Sequence, residues 1–453
     1  MFRRLLIANR GEVAVRIART ARAMEIAPVG IASRADLGAT WLEAMDEVVC
    51  VGDASPRESY LQAERIVQAA VQTGCGALHP GWGFLAENAR FAALCEQHGV
   101  TFVGPSARVL RLMGLKMPAK TAMRAAGLPV IPGSDGLLAG ADEALARAAE
   151  IGYPVIVKAD AGGGGRGMRR CENARELAEG FAAASAEAQA AFGNGRLYVE
   201  KYMAGGRHIE VQVIGDRYGR TLHLFERECS IQRHHQKLIE ESPSPALAPK
   251  ERTELGESAA RAAAVIGYVG AGTMEFLRDD AGKLCFMEMN ARLQVEHPVT
   301  EAITGIDIVR EQLAIAANEP LALEQTSIVG RGHAIECRIN AEDPSQDFRP
   351  SPGKIDVFEI PSDKGPGTIR VDTHLRAGDE VLPYYDSLVA KVIAHAPTRD
   401  KAIETMLRAL AAARIGEIAT TIPLHLSVLP SEEFRSGKYD TSRIPTARAT
   451  ATR

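Results

Sequence analysis

The first ~110 residues alternate short apolar runs with amphipathic stretches, and that rhythm restricts the fold more than any other feature of the chain. "LLIAN" (5–9) reads as a strand; Gly11 follows, then Val13, Ile17 and Met24 at helical spacing. "APVGIAS" (27–33) and "DEVVCV" (46–51) read as further strands. "YLQAERIVQAAVQT" (60–73) reads as an amphipathic helix, and "GALHP" and "VTFVGP" come after it. Parallel strands need long crossover connections, usually helical, so this rhythm predicts an open, Rossmann-like parallel sheet with helices on its faces.

At 453 residues the chain exceeds one ordinary core, and two or three domains are expected. "KMPAKTAMRAAGLPVIPGS" reads as a helix closed by Gly127 and two prolines. From about 135 to 203 comes a short unit: a helix "ADEALARAAEIG", a strand "YPVIVKAD", a glycine loop, an Ala-rich helix and a strand "RLYVEKY". Few large apolar residues serve it as a core, so it is expected to be a small mobile lid. From 204 the pattern turns antiparallel, with "HIEVQVIGD" and "GRTLHLFERE" joined by "DRYG". The fold class expected is therefore mixed, α/β and α+β, in several domains. The expected division is 1–114, 115–317 including the lid, and 330–445, with a disordered tail at 446–453.

The formal net charge of −4 and 5% aromatic content disfavour a nucleic-acid surface. No apolar run reaches the ~18 residues of a membrane span. The start, "MFRRLLIANRGEVAV", lacks a long apolar segment and a small-residue cleavage site, so it does not read as a signal peptide. Seven dispersed cysteines with no C-x-x-C pair suggest reduced thiols. A cytoplasmic protein without nucleic-acid or membrane partners is expected.

"KADAGGGGRGMR" (158–169) is the first stretch that suggests chemistry. A run of glycines presents successive backbone N–H groups to an anion with no Cβ in the way. It fails the P-loop pattern, because Met168 stands where Lys is needed. Gly162-x-Gly164-x-x-Gly167 matches the dinucleotide fingerprint literally, but any glycine run does so. A plain surface loop also fits. Lys158, directly before the loop, favours phosphate binding. In "VEKYM" (199–203), Glu200 and the peptide at Lys201–Met203 are placed to line an adenine pocket, though an edge strand fits equally.

In "CFMEMNARLQVEHP" (285–298), Glu288, Asn290, Arg292, Gln294 and Glu296 share one parity and, in a strand, one face. Glu275, one strand earlier, is expected to meet Glu288 across a hairpin. With Asn290 these carboxylates form a hard oxygen set suited to Mg²⁺; zinc is disfavoured by the lack of His/Cys spacing. "ERECSIQRHHQK" groups Arg227, Arg233, His234, His235 and Lys237 with Gln232 and Gln236. It reads as a surface basic patch or an anion pocket. Arg338 ends another apolar run.

Together these segments resemble the biotin carboxylase family of the ATP-grasp fold. The resemblance rests on "ANRGE", "HPGWGFLAEN", "GPSARVLRLMG", "KADAGGGGRGMR", "ERECSIQRHHQK", "EMNARLQVEHPVTE", "GHAIECRINAEDP", "PSPGKI" and "PYYDSLVAK", in family order from residue 8 to about 391. It implies that ATP phosphorylates bicarbonate to carboxyphosphate, which releases CO₂ for biotin. The nucleotide set it implies is Lys116, Lys158, the loop glycines Gly163, Gly164 and Gly165, Glu200, Lys201, Met203, His208, Gln232 and His235. The metal set, for Mg²⁺ or Mn²⁺, is Glu275, Glu288 and Asn290. Lys237, Arg292, Gln294, the Val295 main chain and Glu296 look like the bicarbonate pocket, with Glu296 as base. Arg338 corresponds to the residue that stabilises the biotin enolate, with Arg292 aiding the anionic intermediate.

One position departs from the family pattern: Trp82 stands where Tyr is usual, at the biotin mouth. No Met-Lys-Met context of a biotinylated lysine occurs. The resemblance therefore implies biotin arriving on a separate carrier protein or domain, a carboxyltransferase subunit as second partner, and a homodimer. Another ATP-grasp ligase forming an acyl phosphate shares the lysines and metal set but has no need of the Arg292–Glu296 cluster with Arg338.

Overall fold

The computed structural model describes residues 2–160, 167–361 and 366–445. β1 (Arg4–Ile7), β2 (Ala27–Ser33), β3 (Glu47–Gly52), β4 (Ala77–His79) and β5 (Thr101–Phe102) form one parallel sheet in the order β3-β2-β1-β4-β5. α1 (Gly11–Ala23), α2 (Ala63–Gln72) and α3 (Ala89–Gln97) supply crossovers. The strands are apolar because both faces are covered: Leu5, Leu6, Ile7, Val29 and Ile31 have no exposure. α4 (Ala107–Met113), capped by Ser106, leads into α5 (Lys116–Ala125). Lys116 and Lys120 lie four apart on α5 and so share a face.

The small unit has its own sheet and core. α6 (Ala141–Ile151), β6 (Val155–Ala159), β7 (Met168–Cys171), α7 (Ala174–Phe192) and β8 (Leu197–Lys201) follow one another, with the antiparallel order β7-β6-β8. Two helices cover that sheet with Ala144, Ala148, Leu177, Ala184 and Ala188 against Val155, Val157 and Val199. Alanines bring the helices close but bury little area, so this core is thin. The glycines Gly163, Gly164 and Gly165 lie outside the described residues.

The rest is built on one eight-stranded antiparallel sheet. Its strands are β9 (Arg207–Gly215), β10 (Thr221–Arg233), β11 (Gln236–Ser242), β12 (Gly270–Arg278), β13 (Leu284–Asn290), β14 (His333–Asn340), β15 (Thr368–Thr373) and β16 (Leu388–Ala396). They run in the order β13-β12-β9-β10-β11-β14-β16-β15. α8 (Pro249–Val265), α9 (His297–Thr304), α10 (Ile308–Ala316) and α11 (Arg399–Ala412) pack around it. The sheet passes without a break from the region after the lid into the C-terminal region, because β11 pairs with β14.

Register along this sheet sets the chemistry. Arg227, Glu210, Glu275 and Glu288 are successive cross-strand partners over β10, β9, β12 and β13. Arg338, Lys391 and Asp372 form a second row over β14, β16 and β15. Partners in a ladder project to the same face, so charge is concentrated in two bands.

Candidate active site

A cavity of about 800 Å³ lies over these bands, beneath the small unit. Its lining includes Trp82, Lys116, Lys158, Lys201, Met203, His208, Gln232, His235, Lys237, Glu275, Glu288, Asn290, Arg292, Gln294, Val295, Glu296 and Arg338. Residues from all parts of the chain thus converge on one space. Glu200 lies just behind it, 2% exposed.

Glu296 occupies the centre, fully buried at the N-cap position of α9. Its Oε1 accepts from Lys237 Nζ at 2.6 Å and its Oε2 from an Arg338 terminal nitrogen at 2.9 Å. Burial alone would raise its pKa; Lys237, Arg338 and Arg227 outweigh that and hold it well below the ordinary carboxylate range. Lys237 Nζ also donates to Glu210 at 2.5 Å and Glu275 at 2.9 Å. Burial opposes its charge, but three carboxylates raise its pKa well above that of a free lysine. Arg227, wholly buried, ties Glu210, Gln212, Thr273 and Thr300 together beneath.

The expectation that one strand carries Glu288 through Glu296 holds only to Asn290, where β13 ends. Residues 291–296 form a turning segment because their polar groups bond locally. Arg292 donates to Asn290 Oδ1 and Gln294 Oε1 at 2.8 and 2.9 Å, and Glu87 accepts from Ala291 N and Arg292 Nε, both at 2.8 Å. Arg292, Gln294 and Glu296 nevertheless reach the cavity, from this turning segment and not from a strand.

Glu275 and Glu288 face each other across the β12–β13 ladder. Asn290 Nδ2 donates to Glu275 Oε1 at 2.7 Å, and Lys116 Nζ lies 2.8 Å from Glu288 Oε2. Lys116, more than burial, sets the Glu288 pKa low; Glu275 is lowered against burial by Lys237 and His208. Two ionised carboxylates and an amide oxygen on one face are a donor set of the kind Mg²⁺ takes. These residues fit the expected ion, and Lys116 and Lys237 lie alongside.

His208 is held by Gln232 at 2.7 Å through Nδ1 and faces Glu275 at 3.2 Å through Nε2. Burial would keep its pKa low, but Glu275 raises it. His234 and His235 sit at the tip between β10 and β11 with φ of 47° and 66°, in the left-handed region. The basic run therefore divides: Arg227 is buried, Lys237 is largely covered, the histidines line the opening, and Arg233 pairs with Asp347 at 2.8 Å.

At the other end Glu200, expected beside an adenine pocket, is paired with two lysines. Its carboxylate lies between Lys120 and Lys158, the latter at 2.7 Å, and both cations lower its pKa against burial. A buried carboxylate on strand β8 is costly to hold ionised alone, and lysines from α5 and β6 close on it. Lys158 thus points at Glu200 in this structure. Lys201 Nζ is likewise occupied, by the carbonyls of Gly152 and Tyr153 at 3.0 and 2.9 Å.

Several contributors lie outside the sequence-based set: Glu87, Lys120, Glu210, Glu240 and Lys391. Lys120 was legible as the i+4 partner of Lys116, and Glu87 lies inside "HPGWGFLAEN". Glu210 sits on an alternating strand, where a polar residue reads as solvent-facing. Trp82 Nε1 donates to Glu12 Oε1 at 3.1 Å.

A sheet-borne carboxylate pair beside lysines, under a small α/β unit, defines an ATP-dependent ligase of the ATP-grasp class. Residues 1–110 match the family described as biotin carboxylase, N-terminal domain, and residues 336–446 its C-terminal domain. Residues 116–324 match the carbamoyl-phosphate synthase L chain, ATP binding domain. Biotin carboxylase 1 of Bacillus subtilis (strain 168) is 50% identical over 447 residues, 98% of this chain and 99% of that protein. The 2-oxoglutarate carboxylase small subunit of Hydrogenobacter thermophilus is 49% identical over 441 residues, 97% and 93%. The biotin carboxylase domain dimer of that organism's 2-oxoglutarate carboxylase, in complex with MgADP, ADP and bicarbonate, superposes with a TM-score of 0.94 at 49% identity, covering 97% and 96% of the chains. The Campylobacter jejuni biotin carboxylase–β-γ-ATP complex gives 0.94 at 48%, covering 97% and 98%. The chain belongs to the biotin carboxylase family, and its reaction is the ATP-dependent carboxylation of biotin.

Proposed function

We propose that the cavity runs the two chemical steps as follows. Bicarbonate sits among Lys237, Arg292, Gln294, the Val295 main chain and Glu296. Its hydroxyl gives a proton to Glu296 as its oxygen attacks the terminal phosphorus of ATP; the bond to ADP breaks and carboxyphosphate forms. Carboxyphosphate then breaks into CO₂ and phosphate, the released phosphate takes the proton from the ureido nitrogen of biotin, and that nitrogen forms its bond to CO₂. Arg338 stabilises the biotin enolate, with Arg292 beside the anionic intermediate.

Glu296 is a weak base as it stands, because two cations grip it. Those cations are also the groups that an incoming anion would attract. Once Lys237 and Arg338 share themselves with bicarbonate, Glu296 loses part of that stabilisation and its basicity rises toward what proton abstraction needs. This exchange, resting on Glu296 lying between Lys237 and Arg338, is the observation that carries the reading.

The nucleotide set is Lys116, Lys158, Gly163, Gly164, Gly165, Glu200, Lys201, Met203, His208, Gln232 and His235. Glu275, Glu288 and Asn290 would hold Mg²⁺ or Mn²⁺, which when bound neutralises charge on the nucleotide phosphates. Phosphoryl transfer between two anions needs that neutralisation more than covalent help. The division into 1–114, 115–317 with a closing lid at about 135–203, and 330–445 suits the task, since a closed lid guards carboxyphosphate from water. Biotin arrives at the Trp82 mouth on a carrier protein or domain, and a carboxyltransferase subunit consumes the product. The dimer described for the Hydrogenobacter thermophilus domain supports a homodimer here. Among the described residues no helix is long and apolar enough to cross a membrane.

The test is ATP hydrolysis with bicarbonate and Mg²⁺, with and without biotin. Stimulation by biotin, together with recovery of carboxybiotin, is expected. Phosphate release indifferent to both biotin and bicarbonate would overturn the reading.

A further inference from the structure

The motif "PYYDSLVAK" ends on Lys391, a residue that the chemistry above leaves without a role. Lys391 has no exposure at all, and its Nζ donates to the carbonyl of Val295 at 2.9 Å. Glu12 Oε2 lies 3.1 Å from the same ammonium and Asp372 Oδ2 4.0 Å. A fully buried lysine is costly to keep charged, so two carboxylates drawn from separate elements mark a built position and not a surface accident.

What Lys391 grips is the peptide that joins Val295 to Glu296. In a planar trans peptide the N–H points opposite the carbonyl. Holding the Val295 oxygen down toward the sheet therefore fixes the Glu296 N–H on the other side and sets the direction of the Glu296 side chain. Arg338, the direct cross-strand partner of Lys391, binds that side chain at 2.9 Å. One pair of neighbouring cations on β14 and β16 thus holds residue 296 at both its peptide and its carboxylate. Glu12, the counter-ion of Lys391, also accepts from Trp82 Nε1 at 3.1 Å, so the residue at the mouth and the peptide of the base share a support.

We infer that Lys391 is a positioning residue for the bicarbonate pocket: it sets the Val295–Glu296 peptide, and through Glu12 it ties that peptide to Trp82. The inference rests on the proposed role of residues 292–296 and adds a determinant behind them. It acts on bicarbonate, not on the nucleotide, whose candidate residues lie on α5, β6, β8, β9 and the β10–β11 hairpin.

The experiment compares Lys391→Met, Glu12→Gln and Glu296→Gln in the full chain by steady-state kinetics, varying bicarbonate and ATP separately. For Lys391→Met, the KM for bicarbonate is expected to rise roughly tenfold or more with kcat reduced, while the KM for ATP stays within about twofold. A variant that merely loosened the fold would move both constants and lower thermal stability in proportion. Glu12→Gln keeps an acceptor for Trp82 and removes only the charge; a smaller rise confined to bicarbonate is expected. If Lys391→Met does not fold, Glu12→Gln decides. An unchanged KM for bicarbonate in the folded variants, with Glu296→Gln inactive, overturns the role of Lys391 alone. An active Glu296→Gln overturns the reading of the pocket itself.

Discussion

Arg338 reaches two carboxylates at once: a terminal nitrogen lies 2.9 Å from Glu296 Oε2 and its Nε 2.6 Å from Glu240 Oε1. The guanidinium is thereby fixed at right reach of the cavity before any substrate arrives, and Glu296 is held by it and by Lys237 together. Preorganisation of this kind costs nothing at the moment of reaction. Glu296→Gln preserves the size of the side chain and one acceptor but removes the base. Carboxylation is expected to fall by about 10²–10⁴-fold, the usual contribution of a general base. Binding of ADP, followed by calorimetry, is expected to persist. Substantial carboxylation by this variant would remove Glu296 as the base.

Glu240 gives the pH dependence a sign. It is fully buried and faces Glu336 across the β11–β14 ladder. Burial pushes its pKa up to about 7, with Arg338 and Lys237 pulling down and Glu296 adding to the rise. A carboxyl with a raised pKa keeps its proton in the folded state while the unfolded chain loses it. Stability therefore falls as pH climbs from about 4.5 to about 7 and stays reduced above, by an amount of order 3 kcal/mol. Glu240→Gln retains the acceptor for Arg338 and abolishes this titration. Its melting temperature relative to the parent is expected to rise between pH 5 and pH 8. Parallel melting curves at the two pH values would refute the assignment.

The cross-strand pair Glu275 and Glu288 predicts how nucleotide and metal act together. A ligand that binds only the folded state at about a hundred times its dissociation constant adds about 2.7 kcal/mol. ADP with Mg²⁺ is expected to raise the melting temperature more than ADP with a chelator. In Glu275→Gln and Glu288→Gln that metal-dependent increment is expected to vanish, while the smaller increment from ADP alone remains. A full increment in both variants would place the ion elsewhere.

Glu200 predicts a stability effect. It stands between Lys120 and Lys158, and all three are largely out of water. Removing one member of a buried ionic group leaves the others uncompensated, typically at about 3–5 kcal/mol. Glu200→Gln is expected to lower thermal stability on that scale and to restore part of it when ATP supplies negative charge beside Lys158. A melting temperature equal to the parent's would show the lysines to be paired in another way.

How far the sequence led can be judged residue by residue. Period and turn chemistry were enough for the parallel sheet, for the small unit with its alanine-rich helices, and for Glu275 opposite Glu288, since a hairpin through "RDDAGK" admits few registers. Parity carried Arg292, Gln294 and Glu296 to the cavity for an inexact reason: the strand stops at Asn290, and side-chain bonds to Glu87 and Asn290 shape the rest. Glu210 was hidden because a charged residue on an alternating strand looks solvated until the sheet is seen to be covered on that face; Glu240 in "KLIEES" and Lys391 in "LVAKVIAHA" lie in stretches with no alternation to assign them a face. Glu12 and Lys391 lie 379 positions apart, and no local signal joins a helix start in the first domain to a strand in the last. Non-local pairing of this sort is a property of packing and leaves no periodicity to read.

Trp82 brings that hidden pairing to the surface of the molecule. Its indole N–H donates to Glu12 at 3.1 Å, and its own carbonyl accepts from Asn9 Nδ2 at 2.7 Å, so side chain and backbone are both anchored at the mouth. Where the family usually carries a tyrosine, the larger indole keeps an apolar face toward the opening while its polar edge turns inward to a buried acid. Trp82→Phe removes that donor and leaves Glu12 Oε1 unpaired, a loss that typically costs about 1–3 kcal/mol. The cost is expected to appear partly as lower stability and partly as a raised KM for biotin, because the ring is no longer held. Trp82→Tyr places a hydroxyl at a different reach and is expected to restore biotin KM only in part. Neither change touches α5, β6 or β8, so the KM for ATP is expected to stay where it is. Equal shifts in the constants for biotin and ATP would mean that Trp82 serves the whole cavity and not its mouth.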